Sequence, residues 1–84
     1  MPRLADFGNF VIYMYHQDHR PPHFHVIGPD FKARIAIEDL RVLSRAGTSR
    51  PMGRAIRQAL EWAEDDENRQ RLEAAWAEYS GEGR

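Results

Sequence analysis

Cysteine is absent from the 84-residue chain, which excludes disulfide frameworks, thiolate metal sites and cysteine nucleophiles together. The same absence suits a reducing compartment, so the cytosol is the expected location. No run approaches the roughly 18 consecutive apolar residues that a membrane span needs. The opening MPRLADFGNF lacks the basic-then-apolar plan of a signal peptide, so no membrane association is expected. Also missing are a Gly-rich phosphate loop, a Ser-His-Asp order, a paired-carboxylate site, an internal repeat and a low-complexity segment. At this length a second domain does not fit, and residues 1–84 read as one unit.

What is present is enough to fold: 42% of the residues are hydrophobic and 11% aromatic. The formal net charge of −1 hides a strong asymmetry. Residues 1–57 carry nine Lys/Arg against five Asp/Glu, a balance of +4, while residues 58–84 carry three against eight, a balance of −5. Arg41, Arg45, Arg50, Arg54 and Arg57 sit in a stretch without a single acid, a pattern that suits phosphate contact or a solvated arginine-rich face. The acidic end can shield that face or receive a basic partner.

The first part of the chain, about residues 1–45, reads as β-rich. Residues 9–16 (NFVIYMYH) have the Phe, Val, Ile and Tyr content of a strand and no breaker inside. The cluster 17–22 (QDHRPP) closes a hairpin onto a second strand at 23–27, and Gly28-Pro29-Asp30 turns into a third at 31–37. A short fourth is expected at 40–43. The period of two sends Phe10, Ile12, Met14, Phe24, Val26, Phe31, Ala33, Ile35 and Ile37 to a core face. It sends Tyr13, Tyr15, His23, His25, Lys32 and Arg34 to the other, a surface of aromatic, imidazole and cationic groups.

Residues 49–79 read as helical, with capping groups at Gly47-Thr48-Ser49 and Pro51 in the first turn, where its missing N–H costs nothing. Met52, Ile56, Ala59 and Ala63, with Leu60 beside them, form one stripe. Leu72, Trp76 and Tyr79 point to roughly the opposite side at about 100° per residue. The favoured reading is a helix pair broken at Glu64-Asp65-Asp66-Glu67, with an Asp capping the second helix. The alternative is one continuous helix whose residues 68–79 leave an apolar strip for self-association or a tight heterocomplex.

All four histidines fall in HQDHRPPHFH: His16, His19, His23 and His25. Three readings of this cluster stand. In the first, His23 and His25 project from one strand face about 6–7 Å apart. They act as acid and base on a ribose 2′-OH, Lys32 or Arg34 holds the phosphate, Tyr13 or Tyr15 stacks a base, and no metal or cofactor is needed. In the second, the His-x-His pair with His19, His16 or Asp18 ligates a metal. In the third, the histidines are ordinary surface groups on a loop shaped by Pro21 and Pro22.

The element Asp18-His19-x-Pro21-Pro22-His23-Phe24-His25-Val26, with Leu60-Glu61-Trp62-Ala63 and the later Trp76, resembles the small prokaryotic family catalogued as domain of unknown function 4160. The resemblance covers nearly the whole chain and carries over to His19, Pro21, Pro22, His23, Phe24 and His25. It implies a toxin–antitoxin type component that forms a complex with a small partner protein, and it leaves open which component is the toxin.

The expectation is therefore an α+β domain, a three- or four-stranded antiparallel sheet packed on a C-terminal helix or helix pair. The leading function is a toxin–antitoxin type protein acting on RNA as a metal-independent ribonuclease. His23, His25 and His19 are its candidate catalytic residues. Tyr13, Tyr15, Lys32, Arg34, Arg41, Arg45, Arg50, Arg54 and Arg57 are its candidate nucleic-acid contacts. A non-catalytic antitoxin or DNA-binding regulator is the alternative, and a His-rich metal-binding module the third reading. A small partner protein or a homo-oligomer is expected.

Overall fold

The computed structural model describes residues 3–16, 19–47 and 50–80. Five strands come first, β1 (Arg3–Asp6), β2 (Val11–Tyr13), β3 (His23–Ile27), β4 (Phe31–Ala36) and β5 (Val42–Gly47), followed by α1 (Pro51–Glu64) and α2 (Asp66–Tyr79). The strands lie in chain order in one sheet, each antiparallel to its neighbour. This is the α+β arrangement expected, with five strands where three or four were read. Short connections make the antiparallel order natural: at Gly28-Pro29-Asp30 the Gly28 N–H donates to the Phe31 carbonyl at 3.0 Å.

The strand boundaries depart from the reading where a local turn overrides β propensity. Residues 9–16 are not one strand. The Asp6 carboxylate accepts from the Gly8 N–H at 2.8 Å, Gly8 takes a φ of 88°, and Phe7 and Phe10 stack with centroids 4.5 Å apart. That tight loop creates the unforeseen β1 and confines β2 to Val11–Tyr13. The last strand begins at Val42 and not at residue 40, because Leu40 lies at φ 58° and reverses the chain. At the start of α1, Pro51 holds the first turn as expected, and Arg50 is an N-cap without a side-chain hydrogen bond. The capping groups proposed at Thr48 and Ser49 lie outside the described residues.

The core lies between one sheet face and the helices. Ile12, Phe24, Val26, Ala33 and Ile35 are at most 1% exposed, and α1 adds Ala55, Ile56, Ala59 and Ala63. Each large side chain buried here contributes about 1.5–3 kcal/mol through removal of apolar surface from water.

The helices break at Asp65, whose extended backbone (ψ 131°) ends α1 while its carboxylate accepts from the Asn68 N–H at 3.2 Å and caps α2. Asn68 also donates from Nδ2 to the Trp62 carbonyl at 2.9 Å, tying the cap to the end of α1. Leu72, Ala75 and Trp76 then turn into the same core. The continuous helix with an exposed strip at 68–79 is thereby overturned: Leu72 is fully buried and Trp76 is 5% exposed.

Two arginines seat α2. Arg69 donates to the carbonyls of Ile37, at 2.8 Å, and Glu38, just past the end of β4. Arg71 donates to the Leu4 carbonyl of β1 at 2.9 Å and lies over the Trp62 ring.

Candidate nucleic-acid interface

The strand register assembles a transverse row across the sheet. Arg3 opposes Tyr13, Tyr13 opposes His25, His25 opposes Arg34, and Arg34 opposes Ser44, so one residue from each of the five strands stands in line. Lys32 on β4 and Tyr15, two residues past the end of β2, flank the row. These side chains lie on the face away from the apolar core: Tyr13, His25 and Arg34 each alternate with core residues, and Ser44 stands opposite Arg34.

The row is held by contacts of its own. Tyr15, 43% exposed, meets the His25 ring edge-on at 4.5 Å and the Tyr13 ring at 4.9 Å. Arg34 donates from Nε to the Ser44 hydroxyl at 2.8 Å. That bond orients the guanidinium and leaves its two terminal nitrogens to meet a ligand. Lys32 and Arg34 are exposed, and Tyr13 and His25 are half-buried. Tyr15, His25, Lys32, Arg34, Ser44 and Ala46 border a shallow depression of about 210 Å³. Pockets that enclose small molecules run to about 300–1,000 Å³. The depression is smaller than that range.

His23 has the expected parity but not the expected exposure. Its ring lies 5.0 Å from that of His25, yet it is 1% exposed, because Trp76 of α2 covers it with centroids 5.4 Å apart. Its Nδ1 donates to the Pro21 carbonyl at 2.7 Å, since a carbonyl can only accept. The reading that both imidazoles stand open on one face is corrected. The covering helix is set by tertiary packing that strand periodicity does not encode.

The other candidates are dispersed. His19 is exposed in the connection before β3, and His16, also exposed, meets the Tyr79 ring at 5.0 Å. Asp18 lies outside the described residues. Among the described residues, no three His, Asp or Glu groups converge in a way that could hold a metal ion. The arginine stretch does not join the row: Arg45 has core-side parity at the sheet edge, opposite Ala33, and Arg54 and Arg57 lie one turn apart on α1. Arg41, Arg45, Arg50, Arg54 and Arg57 are all exposed, and none forms an ion pair among the described residues.

Sequence reasoning missed Arg3, Ser44 and Trp76 as parts of this region. Ser44 lay beyond the end assigned to the last strand, and Arg3 belongs to the unforeseen β1. The only signal for Trp76 was its helical stripe, which said that it is buried and not against what.

An α+β domain with one helix-covered and one open, cationic and aromatic sheet face is the class that fold and site define. The sequence matches, over residues 9–77, the family model described as a domain of unknown function (DUF4160), and the chain belongs to that family. No curated protein and no solved structure matches it. Among the described residues, no helix is long and apolar enough to cross a membrane.

Proposed function

We propose that the protein binds single-stranded RNA on the open sheet face, as the RNA-directed component of a cytosolic toxin–antitoxin type pair. The observation that carries this reading is the Tyr13–His25–Arg34–Ser44 row with Tyr15 and Lys32 beside it. Aromatic faces stack unpaired bases at about 1–3 kcal/mol each, and flanking cations hold the backbone. A flat sheet admits splayed bases, whereas the double helix hides them.

The arrangement favours binding over cleavage by a histidine pair. General acid and base must both reach the reacting oxygens, and only His25 of the two borders the depression, while Trp76 covers His23. His23 is better read as a positioning residue that backs the His25 ring. In transphosphorylation His25 would take the 2′-OH proton as the 2′-oxygen bonds to phosphorus, the P–O5′ bond would break with the 5′-oxygen protonated by solvent water, and Arg34 would stand against the phosphate.

A DNA-binding regulator is the second reading, favoured by the five exposed arginines outside the row. Fluorescence anisotropy with a labelled oligouridylate, competed by duplex DNA, separates the two. The expected result is salt-sensitive RNA binding that weakens several-fold in Tyr15→Ala and Arg34→Ala and survives in Arg54→Ala. Loss confined to Arg54→Ala and Arg57→Ala, with duplex DNA the better competitor, would transfer the function to the arginine face. Growth arrest on expression that persists in a folded His25→Ala variant would remove catalysis from the account.

A further inference from the structure

A second concavity lies at the opposite end of β3 from the Gly28 turn, where α2 crosses the sheet. Pro22, Ile37 and Trp76 give it apolar walls, Glu38, Arg69 and Glu73 stand at its rim, and its volume is about 300 Å³. That volume accommodates one large side chain.

The charges at the rim are arranged unusually. Arg69 and Glu73 are four apart on α2, the spacing at which opposite charges normally meet. Arg69 instead turns its guanidinium onto the Ile37 and Glu38 carbonyls, and among the described residues neither Glu73 nor Glu38 forms an ion pair. Two glutamates therefore line the groove without an ion pair among the described residues, while Arg69, the cation that lines it with them, donates to main-chain carbonyls. The surrounding segment adds to this field, since residues 58–84 carry a balance of −5.

We infer that this groove receives an arginine side chain from a basic segment of a partner protein. Charge complementarity selects a cation, and apolar walls that include an indole select a flat, weakly hydrated one over an ammonium. The aliphatic stem of the arginine would lie on Pro22 and Ile37 with its head between Glu38 and Glu73. The site is separate from the RNA face, so either assignment can fail alone.

The test uses the full chain with Trp62→Phe, so that Trp76 supplies the single indole N–H resonance. Two blocked pentapeptides serve as probes, Gly-Arg-Leu-Arg-Gly and Gly-Glu-Leu-Glu-Gly, titrated by ¹H–¹⁵N NMR. The expected outcome is a saturable shift of the Trp76 indole and of the Ile37 and Glu73 amides with the arginine peptide only. Glu38→Gln with Glu73→Gln should weaken it about fivefold or more at low salt. Both changes are at the surface and keep side-chain size, and the Arg69 acceptors are backbone atoms, so the fold is retained. The proposal is overturned by no shift, by equal shifts with both peptides, by shifts confined to the Tyr13 and His25 face, or by undiminished binding in the double variant.

Discussion

Within the strands that carry both, the two faces of the sheet are encoded by alternate residues, and they obey different rules. On the helix side Ile12, Phe24, Val26, Ala33 and Ile35 are sealed beneath α1 and α2, whereas Tyr13, His25, Lys32 and Arg34 stand between them in sequence and remain accessible. Stability is concentrated on one parity, and the recognition we propose falls on the other. A substitution should therefore affect one property and spare the other, and each prediction below tests that separation.

The largest effect is expected for Phe24→Ala, which opens a cavity at the centre of the core and should cost about 3–5 kcal/mol in urea unfolding. A loss below about 1 kcal/mol would mean that the covered face is not the source of stability. Next comes Gly47→Ala. The residue sits at φ 114°, and an added Cβ would stand 2.4 Å from the Asp30 carbonyl oxygen, so about 1–3 kcal/mol should be lost. An unchanged midpoint would show that β5 can slide away from the β3–β4 turn. Asp65→Ala removes the cap of α2 and should cost about 1 kcal/mol. Because α2 carries Trp76, it should also speed exchange at the buried His23 while leaving His25 as it was. Smallest in stability is Arg34→Ala, within about 0.5 kcal/mol, although it should reduce oligonucleotide binding several-fold. If Arg34→Ala destabilises as much as Gly47→Ala, the two faces are not independent.

His23 and His25 show where sequence reading stops. Their parity, the turn at Gly28-Pro29-Asp30, the boundaries of β3 and the break at Asp65 were all legible, because each follows from local chemistry: side-chain period, turn residues and a capping carboxylate. The covering of His23 was not, since it depends on α2 folding back across the end of the sheet. The strand β1 was equally hidden. Four residues, RLAD, carry too little alternation to announce a strand, and this one exists because β2 offers it a free edge. The row on the open face was legible as far as Tyr13, His25 and Arg34. Its ends, Arg3 and Ser44, required the register.

Arg69 and Arg71 fasten the last helix to carbonyls of Leu4, Ile37 and Glu38, and a carbonyl is the one acceptor that every amino acid brings. A change of side chain at those three positions therefore leaves the acceptors of α2 in place, although Ile37 is itself buried in the core. The donors differ from these acceptors in being side-chain groups: one terminal nitrogen of Arg69 meets both the Ile37 and Glu38 carbonyls, and one of Arg71 meets that of Leu4. The helix that screens His23 is thus fastened by two side chains that a substitution can remove and by acceptors that no substitution erases.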